Sequence, residues 1–436
     1  MRAILLSVMF FLLMTAAAYA AKDPCLKCHE EKTPGIVDYW KSSAHSGAGV
    51  TCVKCHGSDE KANHDRKSMV LADVCGSCHG EELREHQSSR HSMGMKTGQG
   101  CTRNLPESRD KMRTCDHCHE KGSSRPIVDS ECAMFLAQSP EMQRRGCSSC
   151  HRVEERCDSC HTRHGTDTAV AARAETCGVC HMGPDHAQIE MWRTSMHGVL
   201  YAAGDATGAP TCVTCHMDGG THDVSRAIAT GRPSHLMEKE RSAMLDICAR
   251  CHTRKMAARS LKDADSIEEQ SRALVDEARE IVEALALEGL LVPDPSEREA
   301  HPLFGQNLVV GPHMLYENLS SIEVKYFRMK MFHYMSAFKG AFHQNPDYSH
   351  WFGNAPLKLE LSEIKSEAAA LRQISNLQGR VDNMGRAGFG NTSGASTEAE
   401  RLKEDMRVLR DRFLRNDITE KEYRLQKKRL LDSMGL

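Results

Sequence analysis

Residues 147–161, CSSCHRVEERCDSCH, contain two copies of one short pattern, C-x-x-C-H. The same pattern organises the whole front of the chain. Eighteen of the twenty cysteines fall into nine C-x-x-C pairs, and a histidine follows every pair. The nine motifs are Cys25/Cys28/His29, Cys52/Cys55/His56, Cys75/Cys78/His79, Cys115/Cys118/His119, Cys147/Cys150/His151, Cys157/Cys160/His161, Cys177/Cys180/His181, Cys212/Cys215/His216 and Cys248/Cys251/His252.

The histidine that follows each pair distinguishes between the uses of paired cysteines. A disulfide scaffold is the usual explanation for many cysteines in an exported protein, but neither disulfides nor zinc knuckles require a fifth residue at this position. Covalent haem does require it, because the two thiols form thioethers with the haem vinyl groups and the histidine binds the iron. The sequence therefore predicts a multihaem c-type cytochrome with eight to nine haems.

The composition agrees with a protein that has a porphyrin-filled interior. Aromatic residues make up only 5% of 436 residues, which is little bulky apolar material for a chain of this length. Haem groups can supply that core. We therefore expect a mainly α fold, a multihaem cytochrome c region with little regular sheet, followed by long C-terminal helices.

The charge balance excludes two classes of protein. Lys and Arg number 57 against 59 Asp and Glu, a formal net charge of −2. A strongly basic nucleic-acid binder and a strongly acidic solvating tail are both excluded by this balance, and we expect no nucleic-acid partner.

The first residues predict export. Arg2 precedes an apolar run, and Ala18-Tyr19-Ala20 fits the small-residue pattern of a signal-peptidase site. We expect residues 1–21 to be a cleaved signal peptide and the mature protein to be periplasmic. The alternative is an uncleaved N-terminal anchor, since residues 3–20 are just long enough to be considered as a span.

Electron-carrying haems need a second axial ligand, which in such arrays is usually histidine. Nine of the 24 histidines belong to the motifs, so fifteen others are available. An unassigned histidine can equally lie at the surface or bond a haem propionate. The candidate distal ligands are His45, His64, His91, His164, His197, His222, His235 and His343.

Two cysteines lie outside the motifs. Cys101 and Cys132 flank the fourth motif. They form either a disulfide that holds this insertion or two free thiols, and the sequence alone leaves both open.

Three stretches carry a resemblance to a known family. They are CSSCHRVEERCDSCHTRHG at 147–165, CGVCHMGPDHAQIEMWRTSMHG at 177–198 and AFHQNPDYSHWFGNAPL at 341–357. Here the chain resembles the hydroxylamine oxidoreductase family of octahaem cytochromes, over nearly the whole mature chain up to about Leu361. The order of the motifs carries the likeness, especially the short gap between Cys150 and Cys157.

The resemblance implies an active site. Cys147, Cys150 and His151 would hold a catalytic haem, and Asp185 and His186 would lie on its open face. A carboxylate beside an imidazole can deliver protons while electrons reach a nitrogen oxide. Without the resemblance, Asp185-His186 would be interpreted as a helix cap or a propionate-binding pair. The related enzymes also intertwine their C-terminal helices, which implies a homotrimer.

The chain departs from the family in two ways. The motif Cys115/Cys118/His119 is additional to the eight of the family. The hydroxylamine-oxidising members also cross-link a tyrosine of the neighbouring subunit to the catalytic porphyrin, and the best alignment places His350 or Trp351 near that point. Tyr348 lies nearby but off register. Members that lack the cross-link are thought to run reductively, so the resemblance implies reduction of nitrite and/or hydroxylamine toward ammonium.

The back of the chain predicts long helices. We expect a haem region at 22–260, a helical domain at 261–384, a flexible Gly/Ser-rich linker at 385–397 and a short helical module at 398–436. Ser266 and Glu269 predict a capping box at a helix start, and Gly289 and Pro293 predict the end of that helix. Thr419 with Glu422 predicts a second capping box. The module resembles short two-helix modules linked to oligomerisation, and a solvated tail is the alternative.

Three functions remain open on the sequence. The first is a periplasmic reductase of nitrite and/or hydroxylamine, fed by a periplasmic or membrane quinol-linked donor. The second is oxidation of hydroxylamine at the same site. The third is a non-catalytic electron conduit in which every iron has two histidines; Asp185-His186 argues against this, because a conduit has no need of a proton donor.

Overall fold

A computed structural model describes residues 23–65, 70–93, 150, 152–184, 186–204, 208–225, 234–292, 294, 319–388, 401, 404–410, 412 and 417–433. Several sequence predictions lie outside the described residues. They are the signal peptide, Cys101, Cys115, Cys118, His119, Cys132, Cys147, His151, Asp185, the side chain of His235 and most of the predicted linker.

Every regular element in the described residues is a helix, and none is a strand. The predicted mainly α class is confirmed. No helix in this described part has the length and apolar character that a bilayer span requires.

The described residues form two compact units. The first comprises residues up to 93, 150–182 and 196–258, and the second comprises 183–195 and the residues from 259 onward. The segment 183–195, which the sequence placed in the haem region, thus belongs to the second unit. The helix Arg254–Leu287 begins in the first unit and continues in the second.

The first unit is built from short helices joined by tight turns. Its elements are Leu26–Lys32, Pro34–Lys41, Ala44–Gly47, Cys52–His56, Glu60–His64, Ala72–Gly76, Gly80–Ser88, Arg90–Met93, Arg152–Glu155, Cys157–Ser159, Thr168–Ala171, Ala174–Gly178, Met196–Ala202, Cys212–His216, Asp218–Gly220 and Ser234–Cys248.

Polar clamps join these short helices, and few apolar side chains are buried. Asp23 accepts the backbone N–H groups of Cys25 at 2.9 Å and Cys52 at 2.7 Å, so one carboxylate ties the first two motifs together. Burial opposes ionisation of Asp23, but these two N–H groups outweigh it and lower its pKa. Trp40 is buried and donates its indole N–H to the carbonyl of Val50 at 3.0 Å.

The second unit has a continuous apolar core of the ordinary kind. Its helices are Gln188–Arg193, the part of Arg254–Leu287 from Arg259 onward, Ser321–Arg328, Tyr334–Phe342, Pro346–Tyr348, Ala355–Gly388 and Glu420–Ser433, with π-helical segments at Met329–His333 and Ser349–Asn354. Side chains from three of the long elements, among them Leu285, Phe327 and Ile364, are fully buried in one cluster. Burial of this apolar surface stabilises the second unit.

Two helix boundaries show how local signals succeed or fail. The helix Arg254–Leu287 passes straight through Ser266, so the capping box predicted there is wrong; Ser266 instead accepts a hydrogen bond from Gln270 on the next turn. The predicted end is confirmed, because Gly289 adopts a φ of 66° and the N–H of Leu290 bonds the carbonyl of Leu285 at 2.9 Å.

The C-terminal residues form a small core of their own. Thr419 caps the helix Glu420–Ser433, as the sequence predicts: its N–H bonds Glu422 at 2.8 Å. Ile418 and Tyr423 are both buried on either side of this cap, the arrangement of a hydrophobic staple. Ile374 of the long helix Ala355–Gly388 joins the same cluster. That helix also continues to Gly388, into the segment predicted as linker.

Close packing in the second unit depends on Gly353. A Cβ atom added there would overlap the backbone of Ala337. Gly353→Ala should therefore lower the free energy of unfolding by about 1–3 kcal/mol through overpacking. Gly379→Ala is the matched control, because nothing lies within 4 Å of an added Cβ in that helix; it should be neutral or slightly stabilising. Thermal unfolding followed by far-UV circular dichroism compares the two, and equal midpoints would contradict the packing argument.

Candidate haem-binding and catalytic site

Each described C-x-x-C-H motif forms about one turn of helix. In five motifs the histidine N–H bonds the carbonyl of the first cysteine at 2.9–3.0 Å, and the motifs at Cys52–His56 and Cys212–His216 are helices in their own right. Cysteines three apart and the next residue therefore share one side of the turn. Two thiols and an imidazole can then reach a single porphyrin.

The structure pairs six of these motif histidines with six of the predicted distal histidines. The ring centroids of each pair lie 5.9–6.2 Å apart. The pairs are His29 with His64, His79 with His45, His56 with His164, His181 with His91, His161 with His222, and His252 with His197. All twelve residues belong to the first unit.

This separation fits an iron between the two rings. A metal–imidazole bond is about 2 Å long, and the ring centre lies about 1 Å beyond the nitrogen, so two imidazoles on opposite sides of one ion are about 6 Å apart between centres. The donor sets therefore fit haem iron, although the ligand roles themselves stay predictions.

Hydrogen bonds orient some of these rings. Nδ1 of His29 lies 2.8 Å from the hydroxyl of Thr33, and Nδ1 of His45 lies 3.2 Å from that of Thr166. Engaging Nδ1 in this way leaves Nε2 as the ligating nitrogen, which is the usual arrangement at metal sites.

The backbone also takes part. His164 has a φ of 65° and Thr166 a φ of 46°, in the left-handed region that residues other than glycine rarely adopt. The N–H of Thr166 bonds the carbonyl of Thr162 at 2.8 Å and stabilises this turn. Backbone strain of this kind is found where a side chain is held in a particular orientation. Here it orients the imidazole of His164 toward His56.

Burial lowers the pKa of four of the paired histidines and so favours the neutral imidazole, the form that binds iron. It lowers the pKa of His91 to about 4, with the nearby His86 and His216 adding to the effect. The pKa values of His161, His164 and His197 are also lowered, first by burial and then by neighbouring histidines.

Thiols of different motifs meet. The Cys75 thiol donates a hydrogen bond to Cys157, which raises the pKa of Cys75 and lowers that of Cys157 to about 7. Cys177 donates to Cys212 in the same way. Haems attached at such neighbouring thiols would lie next to each other, as electron transfer requires. None of the described cysteines forms a disulfide.

The second cysteines of three motifs are half-buried. Burial raises the pKa of Cys160 and of Cys215 to about 11, and it raises the pKa of Cys55 as well. A porphyrin attached at these thiols would be partly enclosed by protein.

The second cysteines of three other motifs are exposed: Cys28, Cys78 and Cys251. Cys180 is half-buried, like the three thiols above. The protein fold alone does not enclose the exposed thiols, and their attachment to haem stays a prediction that rests on the C-x-x-C-H pattern.

The remaining ligand candidates are placed differently. His343, in the second unit, follows the helix Tyr334–Phe342, and its Nδ1 bonds the carbonyl of Lys339 at 2.7 Å. His216 ends a motif helix in the first unit. His86 was not predicted, yet its ring centre lies 6.4 Å from that of His91. The pKa of His86 is lowered by burial and by the nearby His222.

The candidate catalytic loop lies in the second unit. Of the predicted pair, His186 is described and half-buried. The N–H of Gln188 bonds the carbonyl of His186 at 2.8 Å, which turns the chain into the helix Gln188–Arg193. Ile189 and Met191 of that helix are buried and anchor the loop.

Two residues beside this loop were missed by the sequence reasoning. Glu190 accepts the N–H of Gly183 at 3.2 Å, across the loop that carries His186. Asn345 is buried and donates to the carbonyl of Met191 and the hydroxyl of Thr194, each at 2.7 Å. Glu190 lies in the quoted stretch 177–198, but only folding shows that its side chain reaches back to Gly183.

Tyr348 is held within its own unit. Its ring centre lies 4.6 Å from that of Phe352, in a half-buried position. Burial raises the pKa of the phenol, the carboxylate of Glu190 raises it further, and a hydrogen bond with Ser336 opposes both. His350 and Trp351, the other residues considered near the cross-linking position, are exposed and pack ring against ring.

Comparisons with known proteins agree with these features. Residues 48–299 match a family model described as "Seven times multi-haem cytochrome CxxCH". A "Probable nitrite reductase-hydroxylamine oxidoreductase fusion protein" of Kuenenia stuttgartiensis is 27% identical over 81% of this chain and 52% of its own length. The chain thus spans about half the length of that relative.

Solved structures resemble the fold. A chain of the Kuenenia stuttgartiensis reducing HAO-like protein complex superposes with a TM-score of 0.65 and 26% identity, over 82% of this chain and 86% of the other. A "Hypothetical multiheme protein" superposes with a TM-score of 0.59 and 16% identity, over 84% and 99%, and supports the fold alone.

The ring pairs lead to a test of ligation. His164→Ala should remove one distal ligand and convert one low-spin haem to a high-spin haem that binds carbon monoxide. His350→Ala, at an exposed histidine outside the six pairs, is the control and should leave the spectrum unchanged. Electron paramagnetic resonance and carbon monoxide titration measure the change. An unchanged spectrum in His164→Ala would show that His164 is not a ligand.

Proposed function

Because the chain belongs to the multihaem c-type cytochromes, among those similar to hydroxylamine oxidoreductase, we propose that it reduces nitrite and/or hydroxylamine toward ammonium. The reaction needs electrons, protons and an iron that substrate can reach. The paired histidines support the first requirement, and the loop at His186 supports the second. The named relatives support the substrate class.

The proposal assigns a haem to each of the nine motifs. Bound haem supplies redox-active iron that stores and passes electrons, and one iron with an open position would receive substrate. The residues of the six pairs would hold six of these irons. Cys147, Cys150 and His151 would hold the catalytic one. The intact mass of the holoprotein counts the haems, and a mass with eight would remove Cys115/Cys118/His119 from the set.

Asp185 and His186 supply protons in this proposal. Reduction of nitrite or hydroxylamine to ammonium consumes more protons than electrons, and breaking an N–O bond requires protonation of the departing oxygen. A carboxyl and an imidazole at adjacent positions of the chain can accept and donate protons close together. The helix Gln188–Arg193 fixes the exit of their loop.

The position of Tyr348 favours reduction over oxidation. An oxidising site of this kind uses a tyrosine that leaves its own subunit to reach a neighbouring porphyrin. Here the Tyr348 phenol interacts with Ser336 of its own unit, and its ring packs on Phe352. These contacts within its own unit support the reductive direction.

We further propose that the protein is periplasmic and assembles as a homotrimer. Trp351, Phe352 and Leu359 are exposed apolar side chains on the second unit, and association of subunits would bury such side chains. A quinol-linked donor would refill the haems. Light scattering of the holoprotein measures the assembly, and a monomer would refute the trimer.

The loop at His186 carries the proposal, and substituting it provides the central test. Asp185→Asn and His186→Ala should each lower turnover of nitrite or hydroxylamine about 10²-fold or more, the scale of losing a positioned proton donor. The measurement is consumption of a reduced low-potential donor with each substrate, beside oxidation of hydroxylamine with an acceptor. Haem content should not change. Undiminished turnover in both variants would contradict the catalytic role, and wild-type protein that only oxidises hydroxylamine would reverse the direction.

Tyr348→Phe tests the direction separately. The variant keeps the ring that packs on Phe352 and loses only the hydroxyl, so reductive activity and the visible spectrum should stay within about twofold of wild type. Loss of an unusual long-wavelength haem band in the variant would show that a cross-link exists. In that outcome oxidation of hydroxylamine replaces reduction as the function.

A further inference from the structure

We propose that Glu190 is a positioning residue that holds the loop carrying Asp185 and His186, through a hydrogen bond from the backbone N–H of Gly183 to its carboxylate. The inference deepens the proposed function and rests on it for the identity of the loop. Glu190 acts through the loop and need not touch substrate itself.

The hydrogen bond joins the two ends of the loop. Glu190 lies on the first turn of the helix Gln188–Arg193, after the loop, and Gly183 lies before it. The distance from the Gly183 nitrogen to Oε1 of Glu190 is 3.2 Å. The residues between them therefore form a closed ring of chain, and His186 lies inside that ring.

The backbone at the start of the loop is not fixed by its own residue type. Gly183 has a φ of 96°, a conformation that glycine adopts freely and other residues rarely do. A glycine in this region has many accessible states, so the N–H direction is not determined by the residue itself. The bond to Glu190 selects one of these states and thereby sets the path of the residues that follow.

The exit of the loop is already rigid. The N–H of Gln188 bonds the carbonyl of His186 at 2.8 Å, and Ala187 is buried. Asn345 holds the helix behind it, with bonds of 2.7 Å to the carbonyl of Met191 and to Thr194. The carboxylate of Glu190 therefore projects from an anchored helix. Its hydrogen bond to Gly183 restricts the movement of that residue.

The chemistry at this position argues against simple packing. Oε2 of Glu190 is buried, and no described residue donates a hydrogen bond to it. Burying half of a carboxylate without a partner is unfavourable, so an apolar residue would serve better if packing were the sole role. The hydrogen bond from the Gly183 N–H to Oε1 offsets the cost of burying Oε2. An amide oxygen at the same reach would serve equally well.

Two substitutions of Glu190 separate the effect of side-chain length from the effect of its negative charge. Glu190→Asp keeps the negative charge but is one methylene shorter, so it loses the bond to Gly183. Glu190→Gln loses the charge and keeps an oxygen at the same reach. Arg193→Ala, at an exposed position of the same helix, is the control. If the bond positions the loop, Asp should behave as a loss variant, Gln as a rescue, and the control as wild type.

The first measurement does not depend on activity. Hydrogen–deuterium exchange of the holoprotein is followed in peptides that cover residues 182–188. Glu190→Asp should increase exchange in these peptides about tenfold or more, while Glu190→Gln and Arg193→Ala should match wild type. Unchanged exchange in Glu190→Asp, or an equal increase in Glu190→Gln, would overturn the proposal.

The second measurement is turnover of nitrite and hydroxylamine. Misplacing the loop should lower kcat of Glu190→Asp about 10- to 100-fold with KM within about threefold, and Glu190→Gln should retain kcat within about threefold of wild type. Loss in Glu190→Gln would show that the charge acts, and would overturn the proposal. A wild-type protein that reduces neither substrate would refute the proposed function instead, while the exchange experiment would still decide the role of Glu190.

Discussion

The first unit depends on one requirement, the pairing of motif histidines with second imidazoles, which six of them meet at 5.9–6.2 Å between ring centres. The motif supplies one imidazole by local geometry, since two thiols and an imidazole lie on a single helical turn. The second imidazole comes from elsewhere in the chain, as His164 does for His56 and His222 for His161. Each such pair brings two distant parts of the chain together. In the first unit these pairs hold the chain in place, as packing between long helices does in the second.

This requirement explains why the two units are built so differently. The first consists of short helices, is tied by polar contacts such as those of Asp23, and buries few large side chains. The second has long helices around a continuous core that includes Phe327 and Ile364. A unit whose interior is completed by porphyrins needs protein mainly as ligands and linkers, whereas a unit without them must bury its own apolar surface. The exposure of the Cys28, Cys78 and Cys251 thiols is consistent with this difference, because a fold completed by porphyrins does not enclose every attachment point by itself.

The segment 183–195 connects these two kinds of structure. It follows His181, the last residue of a motif, yet it packs with the second unit through Asn345, Met191 and Thr194. A proposed proton-delivering loop is thereby attached to the rigid, apolar-cored part of the protein. Precise placement of catalytic groups requires such rigid support, and the short helices of the first unit offer less of it.

The sequence by itself determined the class of the protein. The C-x-x-C-H motifs predict covalent haem because the attachment chemistry is local, and the helix signals at Gly289 and Thr419 were correct for the same reason. It could not determine which distal histidine meets which motif, that the helix Arg254–Leu287 ignores the signal at Ser266, or that Glu190 reaches Gly183. Those depend on where distant segments pack and on burial along a whole helix, which only the tertiary structure decided.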